Sequence, residues 1–174
     1  MRRTLVIASV AALLLGVITV PSIARPGEIH AKATAVYVET LDPGESWFKG
    51  DVNHVRGVVW RVRVEGTGDN AQYQTGDQIS EINFNWNWKT GALNSWGTVE
   101  ITLDAIDGGY AGTWVVAGPP NPDAVGGECA AWSKFTGVGK GFGDLEGAQV
   151  RWDNESDMCG FVSFYDAAIF FPGG

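Results

Sequence analysis

Residues 79–103 constrain the fold of this chain more than any other stretch, because apolar and polar side chains alternate along them in two runs. The apolar members alternate with asparagine in the first run and with threonine and glutamate in the second: Ile82, Phe84, Trp86 and Trp88 against Asn83, Asn85 and Asn87, then Gly97, Val99, Ile101 and Leu103 against Thr98, Glu100 and Thr102. A period of two is typical of a β-strand with two unlike faces. Lys89-Thr90-Gly91 supplies a turn between the runs, so the stretch predicts a β-hairpin.

Six further segments have the length and composition of strands, and glycine- or proline-rich turns separate them: 33–40, 52–66, 110–117, 129–138, 145–152 and 159–167. In the second of these, the valines Val58, Val62 and Val64 share a face with Trp60, and the arginines of the other face should meet water. No segment keeps a helical period, so we expect little helix. About eight strands favour an all-β sandwich or barrel, and a single closed antiparallel barrel removes exposed edges.

The first 24 residues have the pattern of a secretory signal peptide. Arg2 and Arg3 precede an uncharged apolar run that ends in Ser22-Ile23-Ala24, which places small residues where signal peptidase cuts. A retained membrane anchor is the alternative, and Ala31-Lys32-Ala33 is a second candidate exit. We therefore predict a secreted, extracellular protein with no membrane association after signal removal, composed of a signal peptide (1–24), a flexible lead (25–33) and one barrel domain (34–174).

The charge of the mature chain excludes some partners. After residue 24 the chain has twenty acidic and ten basic residues, which gives a net charge of −10. Nucleic acid and anionic membrane surfaces attract Lys and Arg, so we expect neither as a partner. The sequence leaves the oligomeric state open.

Cys129 and Cys159 are the two cysteines of the chain. An even count in an exported protein predicts one disulfide between them. A reactive or metal-bound thiol pair is the alternative, but neither a nearby histidine nor a Cys-x-x-Cys spacing supports it. We expect no metal site and no cofactor.

Several short motifs, in a fixed order, resemble those of a group of secreted bacterial proteins of unknown role, whose barrel looks like that of plant allene oxide cyclase and dirigent proteins. The motifs are His54-Val55-Arg56-Gly57, Asn83-Phe84-Asn85, Trp96-Gly97-Thr98, Gly112-Thr113-Trp114, and the glycines from Gly137 to Gly147. The resemblance covers roughly residues 52–152. It implies a calycin-like or allene oxide cyclase-like barrel that holds an apolar ligand and steers a cyclisation or a radical coupling. No catalytic residue of those families can be matched to this chain.

Tryptophans supply the candidate ligand-binding residues: Trp60, Trp86, Trp96 and Trp114. They can line an apolar lumen or pack the core. Alternatively, the asparagine row of the hairpin and its neighbouring tryptophans can form a polar groove for sugar hydroxyls. The glycines from 137 to 143 lack both the Lys-Ser/Thr end and the helix of a phosphate loop, so we interpret them as a bend in a barrel strand.

Candidate catalytic residues are His54, Arg56, Glu81 and Glu100. In a regular strand His54 and Arg56 point the same way, and either glutamate can face them across the sheet. Burial in an apolar barrel would shift their pKa values and permit acid–base chemistry, whereas on the surface they would form an ion pair. His30 falls in the predicted lead and is expected to be uninvolved.

The sequence does not decide whether the protein is an enzyme. It favours a secreted barrel that binds a small apolar ligand in its lumen. The enzymatic alternative is a cofactor-free isomerase or cyclase of the allene oxide cyclase type. The third hypothesis is an extracellular carbohydrate-binding or structural module.

Overall fold

A computed structural model describes residues 27–116, 133–157, 160 and 162–172. These residues form nine β-strands and one short 3₁₀ turn, Ala71–Tyr73. The strands are β1 (Glu28–Asp42), β2 (Glu45–Lys49), β3 (Val52–Thr67), β4 (Gly76–Asn87), β5 (Ala92–Leu103), β6 (Gly108–Val116), β7 (Ser133–Gly143), β8 (Gln149–Asp157) and β9 (Val162–Phe170). Within these ranges no helix is long and apolar enough to cross a membrane.

Eight of the strands close into an antiparallel barrel. From β3 to β9 each strand pairs with the next one in the chain, and β9 pairs with β1. The ring closes because β1 also pairs with β3, from Lys32 opposite Thr67 to Asp42 opposite Val59. Strand β2 continues the line of β1 along the first residues of β3 and is the ninth, additional strand. The predicted all-β, single antiparallel barrel of about eight strands is therefore confirmed.

The alternation of side chains explains why these segments pair as they do. The predicted hairpin is β4 and β5, whose last pair is Asn87 opposite Ala92. In β3, Val62 and Val64 are buried inside the barrel, whereas Arg61 and Glu65 are exposed outside it, as their period of two predicts. One apolar face and one polar face on each strand fix which side of the sheet becomes the interior.

Two parts of the structure differ from the sequence-based expectation. Strand β1 begins at Glu28, so most of the segment 25–33 is paired with β9 rather than forming a flexible lead. Alternating buried alanines (Ala31, Ala33 and Ala35) give it an inner face. Strand β2 falls in a segment interpreted as turns, and all five of its side chains are exposed, so no apolar face marks it in the sequence. The signal-peptide prediction and the pairing of Cys129 with Cys159 concern residues outside the described ranges.

The two ends of the barrel are built differently. At the end formed by the 3₁₀ turn and by the β5–β6 and β7–β8 turns, here called the lower end, a continuous apolar cluster fills the interior. Tyr110, Ile101 and Ile169 in this cluster are almost completely buried. The opposite, upper end holds the β2–β3 and β4–β5 turns. Because the apolar cluster is at the lower end, space inside the barrel remains in its upper half.

Glycines in β7 make room for a large side chain on β8. A Cβ atom at Gly139 would lie 2.7 Å from the Trp152 ring, and one at Gly137 would lie 3.1 Å from it. The Trp152 ring, 3 % exposed, therefore packs directly against the β7 backbone. The glycine-rich segment interpreted as a bend is indeed part of a strand, and its alternation accommodates an inward-pointing indole.

An ion-pair network on the outside of the barrel predicts part of its acid sensitivity. The guanidinium of Arg63 contacts Glu65, Asp77 and Asp104, and its hydrogen bond to Asp104 lowers the pKa of that carboxyl below its ordinary value. A lowered folded-state pKa contributes stability above the unfolded pKa of about 4, and this contribution disappears as the pH falls through the folded value. We expect Asp104→Asn to lower Tm more at pH 6 than at low pH, in a thermal-denaturation series. An equal loss at both pH values would contradict this assignment.

Candidate functional site

A cavity of about 290 Å³ lies inside the upper half of the barrel. Eleven of its eighteen described lining residues have apolar side chains, and six of these are large and aromatic: Trp60, Trp86, Trp114, Trp152, Phe84 and Phe135. They come from several strands, because every second residue of a barrel strand points inward. A volume of this size approaches the range of natural small-molecule pockets.

Six polar side chains interrupt this apolar wall: Gln78, Ser80, Ser95, Asn154, Ser156 and Tyr165. Gln78 is 4 % exposed and donates a hydrogen bond from Nε2 to Ser80 Oγ over 2.7 Å. Its amide also bonds the Tyr165 hydroxyl, and Tyr165 lies directly opposite Asn154 in the β8–β9 ladder. Gln78, Tyr165 and Asn154 are three polar residues of the lumen wall, here called the polar triad.

Several polar atoms of the lining residues have no protein partner within the described part of the chain. These buried atoms are Gln78 Oε1, Asn154 Oδ1, Trp86 Nε1 and Trp152 Nε1. Two of them are acceptors and two are donors. A buried polar atom without a partner costs about 1–3 kcal/mol, and native proteins contain few of them. Four around one cavity indicate a wall whose hydrogen-bonding capacity is not used by the protein itself.

Tyr165 is the one ionisable side chain in the described lining. Burial raises the pKa of Tyr165 to about 12, although its hydrogen bond with Gln78 acts in the opposite direction. The phenol is therefore neutral at physiological pH and can donate a hydrogen bond, but it is a poor general base. The chemistry available in the lumen is apolar contact and neutral hydrogen bonding.

The structure brings His54 and Arg56 together, but on the outer face of the barrel. Asn85 Oδ1 accepts a hydrogen bond from Arg56 Nη2 over 2.8 Å and contacts His54 Nδ1 at 2.7 Å. The Arg56 guanidinium also lies between two indole rings, 5.5 Å from the Trp47 centroid and 4.8 Å from the Trp96 centroid. Its Nη1 donates to the carbonyl oxygens of Val55 and Phe84, which ties it to the backbone.

Neither candidate glutamate joins this outer cluster. Glu81 is exposed and accepts a long hydrogen bond from Asn83 Nδ2, and Glu100 is exposed on β5 opposite Ile79 and Ala111. No contact between either carboxylate and His54 or Arg56 is present among the described residues. The four candidate catalytic residues thus all lie outside the lumen. The acid–base hypothesis requires them to lie inside it.

Of the four candidate ligand-binding tryptophans, the structure places Trp60, Trp86 and Trp114 in the cavity wall and Trp96 on the outer face over Arg56. Sequence reasoning missed Trp152 and the polar triad. The signal for Trp152 was its alternation with Val150 in β8, two residues apart on one face. Gln78, Asn154 and Tyr165 carry no such signal, because polar residues at inward positions look like irregularities of the pattern.

The described residues contain no group of three or more His, Cys, Asp or Glu side chains that could hold a metal ion. Comparison of the chain with protein-family models, with curated proteins and with solved structures gave no significant match. The candidate site must therefore be interpreted from its own geometry.

Proposed function

We propose that this protein is a secreted β-barrel that binds one small, mainly apolar molecule in its lumen. The observation that carries the proposal is the cavity of about 290 Å³ with four tryptophans in its wall. Aromatic walls provide large apolar contact areas at little cost in side-chain entropy. A barrel that needed only stability would fill this space, because an empty apolar cavity lowers stability in proportion to its volume.

The volume limits the size of the ligand. An apolar protein cavity of about 150 Å³ accommodates benzene. A cavity of about 290 Å³ is roughly twice as large, so we expect a ligand of about 10–15 non-hydrogen atoms. A fused bicyclic ring system or a small terpenoid has this size.

Export is part of the proposal, and the structure supports one of the two candidate cleavage positions. Cleavage after Ala24 leaves β1 complete, since this strand begins at Glu28. Cleavage after Ala33 would remove the residues that pair with the last part of β9, including the buried Ala31. We therefore expect the mature chain to begin at Arg25.

The two alternatives find less support in the site. A cyclase of the allene oxide cyclase type would have to work without a carboxylate or an imidazole in the described lining, and would rely on the polar triad alone. A carbohydrate groove would need free asparagine side chains beside the exposed aromatic rings. Instead, Asn83 Oδ1 accepts a hydrogen bond from the Gly57 N–H, and Asn85 Oδ1 contacts His54 and Arg56.

Filling the lumen should abolish ligand binding. Leu93 lines the cavity near the upper end, opposite Trp86, so an indole at this position would occupy part of the space. We expect Leu93→Trp to reduce naphthalene binding by at least about tenfold, measured by equilibrium dialysis. The matched control is Asn94→Trp, which adds the same side chain to the exposed outer face of the same strand.

Native mass spectrometry of the protein from its culture medium completes the test, because a retained small molecule would appear as a defined added mass. Unchanged naphthalene binding in Leu93→Trp, or loss of binding in both variants, would contradict binding in the lumen. Wild-type protein that carries no ligand and does not bind naphthalene would refute the proposed function.

A further inference from the structure

The lumen is uncharged, and this restricts what it can hold. The eighteen described residues of its wall include no Asp, Glu, Lys, Arg or His. The sequence of the segments 117–132 and 158–161 contains no Lys, Arg or His. Arg56 belongs to β3, the strand that contributes Trp60 and Val62 to the wall. Two backbone carbonyls and two indole rings hold its guanidinium on the outer face. A carboxylate or sulfonate in the lumen would therefore lack a counter-charge from the described wall, and an uncompensated buried charge is strongly unfavourable.

The wall is not merely apolar, however. The polar triad and the tryptophans offer two unused acceptors, Gln78 Oε1 and Asn154 Oδ1, and two unused donors, Trp86 Nε1 and Trp152 Nε1. Tyr165 interacts with Gln78 through its hydroxyl, and Asn154 is its register partner in the β8–β9 ladder. A hydrocarbon would leave all of these atoms unsatisfied. A ligand hydroxyl at the triad can donate to Gln78 Oε1 or Asn154 Oδ1, and a ligand carbonyl oxygen can accept from the Tyr165 hydroxyl.

We propose that the lumen selects a neutral ligand whose apolar body carries a carbonyl or hydroxyl oxygen, that this oxygen binds at the polar triad of Gln78, Tyr165 and Asn154, and that ionised congeners are rejected. The inference rests on the proposed ligand-binding function and adds the chemical class of the ligand. Apolar area supplies most of the affinity, and the triad fixes the orientation of the polar group. Discrimination comes from hydrogen bonds that the wall already presents and from the absence of a cation.

Three probes with the same ring system and nearly the same shape test this class: methyl naphthyl ketone, isopropylnaphthalene and naphthoate. The ketone has a carbonyl oxygen, isopropylnaphthalene has a methyl group in the place of that oxygen, and naphthoate has a carboxylate. By equilibrium dialysis at neutral pH, we expect the ketone to bind about tenfold more tightly than the hydrocarbon, in line with one to two satisfied hydrogen bonds. We expect naphthoate to bind at least about a hundredfold more weakly than the ketone.

The Tyr165→Phe variant removes one hydroxyl from the triad and keeps the ring. We expect it to reduce the preference for the ketone over the hydrocarbon to less than about threefold while leaving hydrocarbon binding intact. The matched control is Tyr73→Phe, at the lower end of the barrel beside Phe171, which should keep the tenfold preference. If Tyr165→Phe does not fold, Asn154→Leu removes the opposite member of the triad and should give the same result.

The possible results separate the two proposals. Equal binding of ketone and hydrocarbon, tight binding of naphthoate, or an unchanged preference in Tyr165→Phe would overturn the inference while leaving a lumen that binds apolar molecules. Failure of all three probes to bind would overturn the proposed function, and the inference with it.

Discussion

Replacing Gly97 with alanine should destabilise the barrel by about 3 kcal/mol or more, which for a domain of this size corresponds to a fall in Tm of roughly 10 °C. Gly97 lies on β5 opposite Ile82 of β4 and Trp114 of β6. A Cβ atom there would lie 1.9 Å from the Glu81 carbonyl oxygen and 2.7 Å from the Trp114 ring. The carbonyl belongs to a paired strand, so relief requires the backbone ladder or the indole to move.

The control for this prediction is Gly50→Ala in the β2–β3 turn. Gly50 has φ +61°, and a Cβ atom there would have nothing within 4 Å, so the substitution tests backbone strain without a steric clash. We expect a loss of about 1–2 kcal/mol for that variant. Both free energies of unfolding come from urea denaturation followed by tryptophan fluorescence. A Gly97→Ala variant as stable as Gly50→Ala would show that the ladder between β4 and β5 can adjust.

Removing Arg56 should be the most damaging change on the outer face. Arg56 lies in a β-bulge of β3, where the pairing with β4 shifts between Val55 and Val58. Its guanidinium donates to the Val55 carbonyl over 2.6 Å and to the Phe84 carbonyl over 2.8 Å, and stacks between Trp47 of β2 and Trp96 of β5. One side chain therefore connects four strands. We expect Arg56→Ala to cost about 2–4 kcal/mol, because charged hydrogen bonds and cation–π contacts are lost together.

Two further variants show which property of Arg56 matters. Arg56→Lys should recover little of the stability, since one ammonium cannot reproduce the planar fork that meets two carbonyls and an amide oxygen. Arg61→Ala, on the same strand, removes an exposed ion pair with Glu39 and should cost less than about 1 kcal/mol. Limited proteolysis should also cut Arg56→Ala earlier within β2, which Trp47 anchors. Equal stability of Arg56→Ala and Arg61→Ala would contradict a structural role for Arg56.

The period-two patterns predicted most of the barrel because the interior and the exterior impose opposite requirements on neighbouring residues. The β4–β5 hairpin, the inner face of β3 and the approximate number of strands all followed from this rule. The rule did not predict strand β2, because the side chains of β2 are exposed on both faces and only the pairing with β3 defines this strand. The rule also did not predict the start of β1. The inner face of this strand consists of alanines, which give only a weak apolar pattern within a polar segment.

The cavity was harder to predict from the sequence than the strands, for a physical reason. The sequence identified three inward tryptophans, because large apolar side chains on a predicted strand tend to point into the barrel. Whether the space between them is filled depends on the shear of the barrel and on which residues meet across it, and no local pattern encodes either. Tyr165 meets Gln78 across the lumen although one is on β9 and the other on β4. His54 and Arg56 were placed by a β-bulge that reverses the local alternation of β3.

The pairing of β1 with both β3 and β9 affects how the chain is made. The ribosome produces β1 and β3 early, but β9 is nearly the last segment of the described chain. At ordinary elongation rates the interval between β3 and β9 is about 5–20 s. During this time one edge of β1, and then the edge of each newest strand, presents unpaired amide and carbonyl groups, which other nascent chains can join. A chain shortened before Val162 would remain in that open form permanently, so truncation from the carboxyl end should yield an aggregating sheet rather than a smaller barrel.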